Sequence, residues 1–196
     1  MTKADKTRQH ILEKTAPLFN RKGFHGTSLA ELTAVTGLTK GALYGNFQDK
    51  EEIALEAFRF AIEKVRQQVK QVLDGIPTCR GQLIALLDFY SNYVFNPPVA
   101  GGCPLLNTAV EADDHRVSMR RVVVKELHHT ISFIQDLIQE GIKKNEFLPD
   151  IEPAEIAYTF FCSVEGALMF SRAERSREPM DIIVQHCKNI LDQISK

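Results

Sequence analysis

The stretch that most limits what this chain can become is Thr27 to Lys50, TSLAELTAVTGLTKGALYGNFQDK, which writes a helix start, a glycine stop and a second helix start in close succession. Ser28 precedes Leu29 and Leu32 and has Glu31 in the third place after it, the pattern in which a hydroxyl and a carboxylate cap a helix opening reciprocally. That helix has to stop near Val35, because Thr36 and Gly37 follow and glycine takes the left-handed turn past a helix end without steric cost. Leu38 fills the turn, and Thr39 caps a second helix on which Ala42, Leu43 and Phe47 share one face. Two short helices joined by a glycine-containing turn make a helix-turn-helix, whose second helix enters the major groove of DNA.

The residues left facing outward suit that role. Lys40 offers an amine to guanine edges or phosphate, Gly41 and Gly45 let the backbone come close, Asn46 stands beside them, and Tyr44 offers a hydroxyl to phosphate and a ring to a thymine methyl. Thr27, Ser28 and Thr39 flank the same surface. Asp49-Lys50-Glu51-Glu52 reads as a further capping box, placing Lys50 at a helix amino terminus where dipole and amine both favour a phosphate. Base contacts are expected from one helix and positioning contacts from its neighbours.

At these residues the chain closely resembles the TetR family of ligand-controlled transcriptional regulators. The matching run is GFHGTSLAELTAVTGLTKGALYGNFQDKEEI, Gly23 to Ile53, preceded by a first helix with Ile11, Leu12, Ala16, Leu18 and Phe19. The family typically has alanine or another small residue where this chain has Thr33, and often histidine where it has Gly45, departures that bear on the operator and not on the fold. Farther on, GGCPLLNTAVEADD resembles one of the family's subgroups. The resemblance implies an all-α fold of about nine helices, with a helix-turn-helix domain over residues 1–49 and an effector-binding and dimerisation domain over residues 50–196. It implies a homodimeric repressor released from a palindromic operator by a small molecule.

Charge and composition agree with such a division. Residues 1–50 hold eight Lys and Arg against four acids, a net of +4, so the whole-chain net of −1 leaves −5 for the remainder. The amino terminus MTKADKTRQH is polar and no apolar run has membrane-spanning length, so a cytoplasmic protein is expected. Four cysteines, Cys79, Cys103, Cys162 and Cys187, are widely spread without a CxxC, which indicates neither a disulfide framework nor a zinc site. No nucleophile, base and orienter can be assembled and no phosphate-binding glycine loop is present, so neither enzyme activity nor a cofactor is expected.

Helical periodicity continues along the chain. The first helix spans about Lys6 to Arg21, with Pro17 inside it and Lys3, Lys6 and Arg8 at an end that either reaches the DNA or forms a solvated tail. Helices follow over Glu51 to Leu73, Arg80 to Phe95, Leu105 to Glu111, Val117 to Asn145 and Ala154 to Arg172, and Pro179 opens a last one; an acidic turn falls at Asp113-Asp114. Nothing reads as a strand.

Three further sets of candidate residues follow. An effector pocket is expected between the middle helices, with Phe58, Leu86, Phe89, Tyr90, Tyr93, Cys103, Leu106, Asn107, Val110 and Phe133 as its walls. The last two helices carry wide apolar stripes and, by the resemblance, form the dimer interface, with Ala157, Phe161, Val164, Leu168, Ile183, Cys187 and Ile190 on it. Cys103, in a glycine turn before a short helix, supports an alternative in which an oxidant or electrophile is sensed by a thiol that the helix terminus lowers. His115 and the adjacent pair His128-His129 make a poor metal set, since neighbours on a helix point to different faces, and no metal is expected.

Overall fold

The computed structural model describes residues 2–113 and 116–196. Among the described residues the regular elements are α1 (Lys3–Lys22), α2 (Leu29–Thr36), α3 (Lys40–Tyr44), α4 (Lys50–Leu73), α5 (Cys79–Tyr93), α6 (Pro104–Ala112), α7 (Val117–Lys143), α8 (Pro153–Glu174) and α9 (Glu178–Ile194). One isolated bridge, Phe147 to Ser195, is the nearest approach to a strand among them. The all-α expectation therefore holds. The expected acidic turn and metal candidate reach Asp114 and His115, which lie outside the described residues. Among the described residues no helix is long and apolar enough to cross a membrane.

The chain forms two compact units, Met1–Arg66 with Pro98–Val123, and Gln67–Pro97 with Val124–Lys196. The boundary read from sequence between residues 49 and 50 coincides with the start of α4, whose first turns belong to the first unit together with α6.

In the first unit Ile11, Leu18, Leu32, Leu43, Phe47 and Ile53 form a buried cluster that holds α1, α2, α3 and α4 together. Both capping signals are present. Ser28 Oγ accepts from the Glu31 N–H at 3.2 Å while Glu31 Oε2 accepts from the Ser28 N–H at 2.8 Å, and Gly37 closes α2 in the left-handed region at φ 67°. Thr39 Oγ1 accepts from the Ala42 N–H at 3.2 Å to open α3. Two local readings change. α3 ends at Tyr44, so Phe47 is buried but lies past the helix, its N–H turned back to Leu43 O at 3.1 Å. The box opening α4 is offset by one residue: Asp49 Oδ1 accepts from the Glu52 N–H at 2.8 Å, but Glu52 Oε2 accepts from Gln48 N–H at 2.7 Å rather than from Asp49. Pro17 sits inside α1 without ending it; the helix runs on to Lys22 and closes at Gly23, φ 69°.

In the second unit α9 packs on α8 and α5. The α8 to α9 turn passes through Arg175 at φ 56°, and the fully buried Ser171 hydroxyl accepts the Met180 N–H at 3.0 Å, fixing the start of α9. Lys188 Nζ donates to Asp88 Oδ1 at 2.6 Å, and Arg80 pairs with Asp192, two ties between α9 and α5. The tail is tied as well: the Leu148 N–H donates to Ile194 O at 2.8 Å. Gly141 in α7 has no room for a side chain, because a Cβ there would stand 2.3 Å from the fully buried Phe147 ring. Gly141→Ala is expected to destabilise the protein by about 1–3 kcal/mol through overpacking, read as a lowered urea midpoint with an unchanged slope.

Candidate nucleic-acid interface

The head of the first unit is built so that one face of α3 stays clear. Leu43 is fully buried and Tyr44 packs part of its ring on the same core, which fixes the rotation of a five-residue helix that could not hold itself. Thr39, Lys40, Gly41 and Gly45 are then exposed. A Cβ on Gly41 would meet only Thr39 Oγ1 at 4.0 Å, so the space over it is open. The Lys40 ammonium lies 5.9 Å from the Tyr44 ring centroid, which groups the two side chains on this surface. Ser28 is exposed at the start of α2, though its hydroxyl and N–H are both engaged with Glu31. Asn46 is half-buried; its amide donates to Ala42 O at 2.8 Å and its carbonyl accepts Arg8 Nη1 at 2.5 Å.

Two residues expected at the DNA are turned inward. Thr27 is fully buried and its hydroxyl donates to Gly23 O at 2.6 Å, so its side chain braces the loop between α1 and α2. Lys50 Nζ donates to Phe24 O at 2.6 Å and stands 4.1 Å from the Phe24 ring centroid, so its ammonium is engaged by that loop. Burial, then the neighbouring Arg116 charge, pull the Lys50 ammonium below its usual range. Arg8, read as a DNA-reaching or solvated residue, donates to Asn46 O and to Glu52 Oε1 at 2.9 Å and lies over the Phe47 ring.

The bracing of that loop also draws on groups that sequence reasoning missed. Glu111 on α6 accepts from the N–H groups of Phe24 at 2.8 Å and His25 at 3.1 Å. Arg116 covers the Phe24 ring at 3.9 Å and donates to Glu51 at 3.2 Å. These partners lie far apart in sequence, so no local pattern announces them. Asn107, expected on the effector wall, belongs to the same framework: its amide donates to Asn20 O, Asn20 Oδ1 and Gly101 O, each at 3.0 Å.

The residues of the expected effector wall are divided between the two units. Phe58, Cys103, Leu106, Asn107 and Val110 fall in the first unit, and Leu86, Phe89, Tyr90, Tyr93 and Phe133 in the second. Val110 is 68% exposed and Phe133 39%, so neither lines an enclosed space. Cys103 caps α6 at 6% exposure, its thiol withdrawn from solvent. Within the second unit an apolar cavity of about 20 Å³ lies among Leu83, Leu86, Leu87, Tyr90, Phe160 and Phe161. Phe89, Tyr90 and Tyr93 form an aromatic cluster with ring centroids 5.3–5.7 Å apart.

The candidate dimer residues divide too. Ala157, Val164 and Leu168 of α8 and Cys187 of α9 are buried inside the protomer, while Phe161, Ile183 and Ile190 are half-buried. Burial pushes the Cys187 thiol up to about 11. The apolar side chains left in solvent on α8 and α9 are others: Tyr158, Met169, Phe170 and Ile182, between 48% and 60% exposed. Among the described residues no group of three or more His, Cys, Asp and Glu is gathered to hold a metal.

The cap that orients α2 has a pH signature. The Lys22 ammonium, then the Ser28 N–H and hydroxyl, hold the Glu31 carboxyl down from an ordinary 4.5 to about 2. A carboxyl lowered on folding stabilises above its ordinary value, and that contribution fades as pH falls toward about 2. An NMR titration is expected to place the Glu31 midpoint near that value, and Glu31→Gln to remove the corresponding acid limb of stability. A second expectation concerns the open face. Gly41→Ala should leave stability unchanged or raise it by up to about 1 kcal/mol, since helix propensity improves and nothing is struck. Its affinity for the cognate duplex should fall by about tenfold or more, and equal binding by fluorescence anisotropy would remove α3 from the DNA surface.

Comparison with known proteins gives the same answer from two ends of the chain. Residues 11–57 match the family profile described as "Bacterial regulatory proteins, tetR family", and residues 79–187 match "Tetracyclin repressor-like, C-terminal domain". A TetR-family transcriptional regulator of Cytophaga hutchinsonii is 35% identical, over 100% of this chain and 98% of that one, with a TM-score of 0.92. A TetR transcriptional regulator of Chloroflexus aurantiacus J-10-fl is also 35% identical over the same shares, with a TM-score of 0.95. The HTH-type transcriptional repressor DhaR of Mycobacterium sp. strain GP1 is 24% identical across 89% of this chain and 86% of its own.

Proposed function

Because the chain belongs to the TetR family of transcriptional regulators, we propose that it acts in the cytoplasm as a homodimeric, non-catalytic repressor, released from a palindromic operator by a small molecule bound in its second unit. The observation that carries the reading is the clear face of α3, where Lys40 projects beside bare backbone at Gly41. Lys40 and Tyr44 read base edges, and Thr39 and Ser28 contribute positioning contacts at the flanks. A single five-residue helix covers too few base pairs for specificity, so two copies are needed, their recognition helices spaced by roughly 34 Å to meet successive major grooves.

The second copy is held by the solvent-facing apolar stripe of Tyr158, Met169 and Phe170 on α8 and Ile182 on α9, joined by the half-buried Phe161, Ile183 and Ile190. The effector enters the aromatic cavity bordered by Leu86 and Tyr90 in the second unit, whose present size admits only a water-sized group, so binding has to part its walls. α4 carries the chain from the reading head into that unit without a break, and a tilt of α4 changes the separation of the two heads. To move the population from one conformer to the other almost completely, a ligand has to prefer the released form by about 5.5 kcal/mol.

The thiol reading is less favoured by the geometry, since Cys103 is buried; Cys103→Ser is expected to leave both operator binding and its release by effector intact. For the main reading, gel shift with the DNA upstream of its own gene should show a salt-sensitive complex. Lys40→Ala should weaken it by about 1–3 kcal/mol and relax base preference at one position, with unchanged binding counting against the assignment. The double variant Phe170→Asp with Ile182→Asp should run as a monomer in light scattering and lose the operator, whereas a retained dimer would place the interface elsewhere.

A further inference from the structure

A buried charged donor in the first unit is left without an acceptor. Arg116, just before α7, is 7% exposed, and its Nε has no hydrogen-bond partner among the described residues. Its Nη2 donates to Glu51 Oε1 at 3.2 Å, and the Phe24 ring covers the guanidinium at 3.9 Å. In a guanidinium the Nε–H and the Nη2–H run parallel along one edge, spaced to meet both oxygens of a single carboxylate. Glu51 takes only the Nη2 half of that edge, and the same oxygen already accepts the Ser118 hydroxyl at 3.0 Å. A buried donor left unmade is costly, more so when it is charged.

Arg116 also borders a cavity. Its walls include the methyl groups of Ala16 on α1 and of Ala54, Ala57 and Ala61 on α4, with Thr108 of α6 nearby. About 20 Å³ inside is open to a water-sized group, and about 340 Å³ lies between the walls out to solvent. Four alanines leave the space that larger side chains would take. Two other polar wall groups are committed: Glu111 accepts the Phe24 and His25 N–H groups, and the Asn20 amide donates to Ala100 O and Gly102 O. The unmet demand at Arg116 is therefore for one acceptor at Nε, and a carboxylate that also displaced Glu51 from Nη2 would engage both donors of that edge.

We propose that this cavity, which as it stands admits only a water-sized group, parts its walls to bind a short aliphatic monocarboxylate, its carboxylate on the Nε and Nη2 edge of Arg116 and its alkyl tail along the alanine wall. The acid takes Arg116 from Glu51, which keeps Ser118 as its partner. Glu51 stands in the first turn of α4, the helix that follows the recognition helix after a five-residue turn, so occupancy slackens the grip on the reading head. That last step rests on the operator reading above; the binding itself does not.

Isothermal titration of the full chain with sodium propionate and sodium butyrate, against sodium chloride at equal ionic strength, reads the site directly. Saturable binding is expected for the wild type. It should weaken at least about tenfold in Arg116→Lys, which keeps the charge without the planar fork, and in Ala54→Val, which fills the wall and keeps Arg116. No saturable heat with the wild type, or equal binding in both variants, overturns the site and leaves water as its occupant. Circular dichroism checks that each variant is folded, and if Arg116→Lys is not, Ala54→Val decides alone. In operator anisotropy, propionate should release DNA from the wild type and not from a folded Arg116→Lys. Unchanged affinity at saturating propionate overturns the regulatory step. Failure to form any operator complex would sink the repressor reading and leave the titration standing.

Discussion

A helix of five residues has no stability of its own, so everything α3 does depends on the burial of Leu43 and of Phe47 just beyond it. Those two side chains close over Ile11, Leu18, Leu32 and Ile53, and the contact decides which way Lys40 and Gly41 point. The recognition surface is thus a by-product of a small hydrophobic core. Caps at Ser28 and Thr39 and the glycine stop at Gly37 set where each helix begins and ends; the core sets how they face.

A second layer of restraint acts on the loop between α1 and α2. The Phe24 ring is approached by two cations, Lys50 and Arg116, while Glu111 holds its backbone N–H and that of His25. This loop precedes α2 directly, so α4, α6 and the start of α7 all bear on the helix that leads into the turn. Small movements of any of them have a route to the reading head through polar contacts of definite direction, which break more abruptly than apolar ones.

Helix starts, stops and the helix-turn-helix were legible because their signals are local: a hydroxyl and a carboxylate three residues apart, or a glycine after the last apolar position. The direction of individual side chains was not. A place at a helix start suits Lys50 to a phosphate, while in the fold its ammonium donates to Phe24 O, 26 residues away. The sequence suggests Asn107 for a pocket wall, and its amide partners are Asn20, 87 residues earlier, and Gly101. Of the stripes on α8 and α9, Leu168 and Cys187 are buried within the protomer, whereas Tyr158, Met169, Phe170 and Ile182 face solvent. Periodicity identifies an apolar face without saying which neighbour it meets.

The two glycines of the recognition helix are not equivalent. A methyl group at Gly45 would press on Gly41 O at 3.2 Å, whereas one at Gly41 meets open space. Should a duplicated copy of this gene drift toward another target sequence, Gly41 is where a new side chain can be tried at no penalty to folding. Divergence between sister repressors would then start at that position, with the scaffold beneath left untouched.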